Sequence, residues 1–388
     1  MKIYVITSTR ADFGILKNLI LDLKKNKYFF VKLIVSGTHF SKVYGNTFKE
    51  INQSKLKIDY KIRNNYENDK PKLLSKVISK CILETSKILE KNKPDLLILL
   101  GDRYEILASA ISCHLNRVPI AHIHGGEVTR GVIDDAFRHS ITKLSHIHFV
   151  ANNKYKRRVI QLGESPKKIF TVGNLSMDNV INTSYVNRYN LEKKLKIKFR
   201  NKNLLITFHP ETLNKDSAEK QIDILLLSLK SFKDCGLLFT STGADTEGQI
   251  INKKISEFCK QNENAFFFKS LGQKNYFSIL KIVDTMIGNS SSGVIEFPYF
   301  KKPTINLGER QLGREMSKTI LNVKINKNNI IQVLKKVLKN KNKKKNKDQN
   351  KPFKFSLSKN LSPSKKIIKV LKTINTNDLI KKTFFDLN

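Results

Sequence analysis

Short apolar runs recur along the chain, each followed by a polar stretch with helix-like spacing. They fall at residues 3–7, 31–36, 96–100, 120–123, 147–150 and 169–172, then at 204–208, 237–240, 265–268, 285–287 and 304–307. The runs are continuous in Leu, Ile and Val rather than alternating, the mark of strands covered on both faces. Strands that alternate with helices imply parallel α/β sheets. Eleven runs are too many for one comfortable sheet, and 388 residues exceed what one core usually supports. The chain changes character after Met177 and Asp178, and the polar, Lys- and Asn-rich residues 179–203 read as the crossing between two domains. The predicted fold is α/β, with two doubly wound Rossmann-like domains facing a cleft lined by the loops at the strands' C-terminal ends. Residues 335–351 read as an exposed helix end and a flexible loop. After Pro363, Ile367, Ile368, Leu371 and Ile374 return at helical spacing and predict a final helix in need of a partner.

Composition narrows the class. Apolar residues make up 40% and charged ones 27%, ordinary for a globular chain, and no run approaches the length of a membrane span. The N-terminus reaches Arg10 and Asp12 too early for a signal peptide. Cys81, Cys113, Cys235 and Cys259 lie far apart with no CxxC, so neither a zinc cluster nor a disulfide framework is indicated. A cytoplasmic location is expected. The formal charge of +39 invites a nucleic-acid reading, but only twelve of the 72 basic residues are Arg. The lysines mix with asparagines along the whole chain, as a solvated surface does, and no nucleic-acid or membrane partner is expected.

The chemistry-bearing residues sit after the predicted strands. After the first run, Thr9, Arg10, Ala11 and Asp12 open a helix without GxGxxG, which argues against a nicotinamide cofactor. Arg10 there either serves an anion or pairs with Asp12. Gly101 and Asp102 expose a carboxylate at a sheet edge, as catalyst or helix cap. His122, His124, Gly125, Gly126 and Glu127 are followed by Asp134 and Arg138, the paired glycines letting the backbone approach a ligand. His122 and His124 share a strand face, but His146 and His148 repeat the spacing without acidic company, so packing is expected and no metal is assigned. Asp102, Glu127 and Asp134 on neighbouring loops would crowd like charges and raise the pKa of at least one, which suits acid/base work. In the second half, His209 before Pro210 can donate to a phosphate, and Asp245 can accept from a ribose or base. Ser290, Ser291, Ser292 and Gly293 present backbone N–H groups and hydroxyls to an anion. Glu296 either holds a ribose diol or compensates a helix dipole, and Arg310 follows the last run. Anion-binding groups thus lie mainly on the second half and the acids on the first, the layout of an enzyme acting on nucleotide-diphospho-sugars.

The segments TRADFG (9–14), GDRYE (101–105), HIHGGE (122–127), IDDAFRH (133–139), FHPET (208–212), GNSSSGVIE (288–296) and INLGERQLGR (305–314) resemble the hydrolysing UDP-N-acetylglucosamine 2-epimerases, in the same order. The resemblance implies the GT-B architecture, with a first domain of residues 1–180 rejoined by a C-terminal helix at 364–388 and a second domain of 181–360. It implies that Arg10, His209, Asp245, Ser290, Ser291, Ser292, Gly293, Glu296 and Arg310 cradle UDP. Asp102, Glu127, Asp134 and Arg138 then border the sugar, with His209 also in the catalytic set and Asp12 and His124 among the substrate-facing residues. The non-hydrolysing relatives carry a lysine where this chain has Ile15 and a glutamate where His124 stands. The first departure fits the hydrolysing branch; the second leaves the choice of base open among the acids, with Glu127 favoured. The implied reaction converts UDP-N-acetylglucosamine and water to N-acetylmannosamine and UDP, without a cofactor, for nonulosonic (sialic-type) acid synthesis. The alternatives are the same reaction on a UDP- or GDP-linked 2,4-diacetamido-2,4,6-trideoxy sugar of the legionaminic acid route, and a GT-B glycosyltransferase. A homodimer or homotetramer is implied as well.

Overall fold

The computed structural model describes residues 1–42, 45–64, 71–129, 133–211, 217–242, 248–339, 362–376 and 378–387. The chain divides into two compact units. The first holds Met1–Val128, Ile133–Ile181 and the described part of Ser356–Asn388; the second holds Thr129 and the described part of Asn182–Phe355.

The first unit is a seven-stranded parallel sheet of β1 (Lys2–Thr7), β2 (Phe30–Val35), β3 (Tyr60–Lys61), β4 (Leu96–Leu100), β5 (Ile120–Ile123), β6 (Ile147–Val150) and β7 (Ile169–Thr171). Its strand order is β3-β2-β1-β4-β5-β6-β7. The helices between are α1 (Arg10–Lys25), α2 (Phe48–Gln53), α3 (Pro71–Lys91), α4 (Tyr104–Leu115), α5 (Asp134–Leu144), α6 (Asn153–Gln161) and α7 (Met177–Asn182). Successive residues of one strand enter different cores, Ile3 and Val5 one, Tyr4 and Ile6 the other. That is why the runs are apolar throughout: both faces of the sheet are covered.

The second unit is a six-stranded parallel sheet of β8 (Lys202–Thr207), β9 (Cys235–Thr240), β10 (Ala265–Phe268), β11 (Thr285–Gly288), β12 (Thr304–Leu307) and β13 (Ile320–Val323), in the order β10-β9-β8-β11-β12-β13. Around it lie α8 (Arg188–Leu195), α9 (Ala218–Leu229), α10 (Gly248–Gln261), α11 (Gly272–Ile282), α12 (Ser291–Ile295) and α13 (Lys327–Lys339).

All eleven apolar runs are strands. Two strands lacked such a run: β3 has only two residues, and β13 exposes its two middle positions at the sheet edge. Within 179–203 the chain forms α8, capped by the Asn187 side chain and ended by Lys196 in the left-handed region. The basic tract is helical through Lys339, its apolar stripe (Ile330, Leu334, Val337) buried, and 340–351 lie outside the described residues.

The last helix, α14 (Pro363–Leu371), finds its partner in the first unit. Ile367 and Leu371 share a core with Leu16, Leu19 and Leu23 of α1, and burying two such side chains is worth about 1.5–3 kcal/mol each. Its first turn is held by Asp178, whose carboxylate accepts from the Ser364 N–H at 2.9 Å, and by Asp22, which accepts from the Ser364 hydroxyl at 2.9 Å. The helix stops at Leu371; Ile374 packs against the same core from beyond its end. Among the described residues no helix is long and apolar enough to cross a membrane.

Candidate active site

In the first sheet the order of strands reverses between β1 and β4, and the loops after β1, β4 and β5 lie on three adjacent strands. A doubly wound sheet opens a crevice at such a point, because neighbouring connections leave in opposite directions. These loops carry Arg10 and Asp12, Asp102, and His124, Glu127 and Asp134.

The structure ties the acidic cluster together through one buried cation. Arg138, from the second turn of α5, forms an ion pair with Asp102, donates from Nη1 to the Glu127 carbonyl at 3.0 Å, and reaches Asp135 Oδ1 at 3.2 Å. Asp102 therefore does not cap α4; Arg103 occupies the N-cap position, with no side-chain cap bond. Asp134 opens α5. Burial foremost, then the charge of Asp102, raises its pKa, while Arg103 and Arg138 oppose the shift. The expected crowding of like charges thus falls on Asp134.

Glu127 is buried, and its Oε1 lies 3.5 Å from Nδ1 of His124. His124 stands outside β5 with φ +66°, a conformation uncommon for a residue with a side chain, and its Nε2 accepts the Leu175 N–H at 3.1 Å. It does not share a strand face with His122. The latter is fully buried, with Nε2 2.8 Å from the Gly101 carbonyl and Nδ1 3.1 Å from the Thr142 hydroxyl. Burial pushes its pKa down to about 3, so the ring is neutral and both nitrogens are engaged in the core. Among the described residues no three His, Cys, Asp or Glu side chains are grouped to hold a metal.

The paired glycines serve packing here rather than access. A Cβ on Gly126 would sit 2.6 Å from the Tyr155 carbonyl and 2.8 Å from Val159 on α6, and Gly126 has φ +74°. One of the two readings of Arg10 is corrected. Arg10 does not pair with Asp12; its Nε is 3.5 Å from Glu50 of α2. Asp12 instead closes a capping box at the start of α1, accepting from the Ser8 hydroxyl at 2.7 Å and the Thr9 N–H at 3.1 Å. Burial raises its pKa to about 6 against the opposing Ser8 bond and Arg103 charge.

The second sheet reverses its order between β8 and β11. The two loops there are locked to each other: the His209 N–H donates to Asn289 Oδ1 at 2.7 Å, and Asn289 Nδ2 donates to the His209 carbonyl at 2.8 Å. The imidazole Nδ1 lies 3.0 Å from the Thr242 hydroxyl. The Asn289 carbonyl in turn accepts from Gln311 at 2.8 Å and Arg310 at 3.3 Å, drawing in the loop after β12. Glu211 holds that loop from the other side, its Oε1 accepting the N–H groups of Glu309 and Arg310 at 3.0 and 3.1 Å. Gly308 (φ +72°) passes so close that a Cβ would lie 2.4 Å from Glu211.

Ser290 caps α12, Ser291 opens it, and the Ser292 hydroxyl accepts from Tyr276 at 2.7 Å. Gly293 is buried against Thr304. Glu296 ends α12 rather than entering its first turn, so dipole compensation does not account for it; burial and the charge of Glu296 together push the Tyr276 phenol up. Asp245 lies outside the described residues. Asn289 and Glu211, which fix the loops, were passed over in the sequence although both sit inside the segments quoted above. Their signal was an amide at a strand exit and an acid just after His209 and Pro210.

The family model described as UDP-N-acetylglucosamine 2-epimerase matches residues 21–372. The chain is 40% identical over its whole length, and 99% of the relative's, to the GDP/UDP-N,N'-diacetylbacillosamine 2-epimerase (hydrolyzing) of Campylobacter jejuni. It is 32% identical, over 87% of this chain and 89% of the other, to the UDP-N,N'-diacetylbacillosamine 2-epimerase (hydrolyzing) of Legionella pneumophila. The crystal structure of the UDP-GlcNAc 2-epimerase from Neisseria meningitidis bound to UDP-GlcNAc superposes with a TM-score of 0.75 at 18% identity, covering 96% of this chain and all of that one. That likeness shows the fold, two parallel-sheet α/β units of the GT-B kind. With most of its length matched and a full-length relative at 40% identity, this chain belongs to the UDP-N-acetylglucosamine 2-epimerase family.

Proposed function

We propose that the chain is a hydrolysing 2-epimerase acting on a UDP- or GDP-linked 2,4-diacetamido-2,4,6-trideoxy sugar, releasing the free 2-epimer and the nucleoside diphosphate for nonulosonic acid synthesis of the legionaminic type. The sequence placed UDP-N-acetylglucosamine first and this donor second. The 40% full-length identity to the Campylobacter jejuni enzyme supports the second donor over the first.

The single observation that carries the chemistry is the Arg138 clamp, which holds Asp102 by its carboxylate and the Glu127 loop by its main chain. The C2 hydrogen of the sugar is only weakly acidic. Departure of the diphosphate from C1, with oxocarbenium character, makes its removal feasible. Glu127 or Asp134 takes that proton and a glycal forms; burial raises the pKa of Asp134, which makes it a stronger base than an ordinary carboxylate. Water then adds at C1 while a proton returns to C2 on the opposite face. In the second unit, His209, Arg310 and the N–H and hydroxyl groups of Ser290, Ser291, Ser292 and Gly293 hold the diphosphate and stabilise its negative charge as it leaves, with Glu296 and Asp245 on the nucleoside. Arg10, exposed at the start of α1 beside Glu50, is the first unit's own candidate for an anion contact.

The test is a product assay with the UDP-linked diacetamido sugar and with UDP-N-acetylglucosamine, in deuterated water and without an acceptor. The expected result is free 2-epimer with deuterium at C2 and the higher kcat/KM for the diacetamido donor. Preference for UDP-N-acetylglucosamine would overturn the substrate, and product without deuterium would overturn the elimination.

A further inference from the structure

Beyond α14 the chain runs back across the first unit and ends in a set of contacts that the chemistry above does not use. The ammonium of Lys382 donates to the carbonyls of Lys143 and Ser145, the latter at 2.7 Å, and lies 2.8 Å from Glu164 Oε2. Its three N–H donors therefore meet three acceptors. Two of those are carbonyls at the C-terminal end of α5, Lys143 inside the helix and Ser145 at its cap, where a cation also complements the helix dipole. Glu164 is buried and is gripped as well by Lys143 Nζ at 2.8 Å and His148 Nε2 at 3.0 Å. Although burial alone would push its carboxyl up, these bonds hold it at about 2. The tail is further fixed by the Phe385 N–H, which donates to the Gly163 carbonyl at 2.9 Å. The Phe384 ring lies 4.8 Å from Lys143 Nζ and packs so tightly on Gly163 (φ +83°) that a Cβ there would sit 2.2 Å away.

The same contacts lead to the acidic cluster by two routes. One is α5 itself: Lys382 holds its C-terminal end, while Asp134 opens it and Arg138 grips Asp102 one turn further on. Eleven residues make a rigid rod about 16 Å long. The other runs through the sheet, where His148 on β6 is the register partner of His122 on β5. His122 donates from Nε2 to the Gly101 carbonyl, just before Asp102, and its Nδ1 faces the Thr142 hydroxyl, whose oxygen lies 3.0 Å from the Arg138 carbonyl.

We propose that the C-terminal tail is an intramolecular clamp and Lys382 a positioning residue, fixing α5 and β6 so that Asp102, Asp134 and Arg138 keep their catalytic register. This inference rests on the reading of those three residues as groups of the active site.

The test compares Lys382→Ala, Lys382→Arg and Phe384→Ala in the full chain, measuring kcat, KM, UDP affinity by calorimetry and Tm. Lys382→Ala is expected to lower kcat about ten-fold, the order a sub-ångström misplacement costs, with UDP affinity unchanged. Lys382→Arg should recover most of that loss, and Phe384→Ala should show a smaller loss of the same kind. Lys382→Ala combined with Glu164→Gln should lose less than the sum of the two single changes. If Lys382→Ala does not fold, Phe384→Ala carries the test. A lowered Tm with wild-type kcat would overturn the clamp and leave the tail a structural appendage. Asp102→Asn separates the two claims: full turnover in that variant sinks the active-site reading, whereas an inactive Asp102→Asn beside a fully active Lys382→Ala sinks the clamp alone.

Discussion

Arg138 is joined to Asp102 by an ion pair while its other guanidinium nitrogen holds the Glu127 main chain at 3.0 Å, so one side chain sets both the charge and the spacing of the acidic cluster. Only a planar fork makes both contacts at once.

Arg138→Lys is therefore expected to act as a severe change. It should cut kcat about 10²-fold, because the ammonium cannot hold the carboxylate and the carbonyl together. Arg138→Ala should lose about 3 kcal/mol of stability as well, since it strips a partly buried carboxylate of its partner. Steady-state kinetics and denaturant unfolding check the two parts separately.

Asp134→Asn and Glu127→Gln test the proton transfers. Each should lower kcat by about 10²–10⁴ with UDP binding retained. Residual product should still carry solvent deuterium at C2, because any turnover through the glycal takes its new C2 hydrogen from solvent, and mass spectrometry reads this directly. Wild-type rate in both variants would refute the assignment.

Asn289→Ala tests the second unit. The side chain bonds the His209 main chain in both directions, and the residue's own carbonyl anchors Gln311 and Arg310. UDP affinity should fall about ten-fold, each lost buried bond costing about 1–3 kcal/mol in loop stability. Gly288→Ala should be worse, because φ is +134° and the new Cβ would fall 1.9 Å from the Thr207 carbonyl. Titration calorimetry with UDP measures both.

Glu164 gives the fold a signature in acid. It faces His148 from β6, Lys143 from α5 and Lys382 from the tail, and its pKa is held at about 2 against an ordinary 4.5. A carboxyl depressed in this way contributes stability that is fully present above pH 4.5 and is lost as pH falls through 2. The contribution is about 3 kcal/mol, and Glu164→Gln should flatten the stability profile over that window. Urea unfolding between pH 2 and 7 is the measurement.

The amino-acid sequence alone determined the strands, because a strand buried on both faces must be apolar at every position and such runs are visible without a partner. Leu96–Leu100 reads the same in sequence and in space. The edge strands β3 and β13 did not, since each is only half covered and carries no run. The loops that bear Asp102, Glu127, Asp134, His209 and Arg310 were legible too, because loops after strands in a parallel sheet lie at one end of it. What tertiary structure decided is who holds whom. Asp102 goes to Arg138, thirty-six residues on, rather than to the helix beside it, and Arg10 goes to Glu50 rather than to Asp12. Lys382 reaches Glu164 and the end of α5 from more than two hundred residues away. Side-chain partners separated by tens or hundreds of residues are selected by burial and by the hydrogen-bond vacancies that folding creates. Neither exists until the chain has closed upon itself.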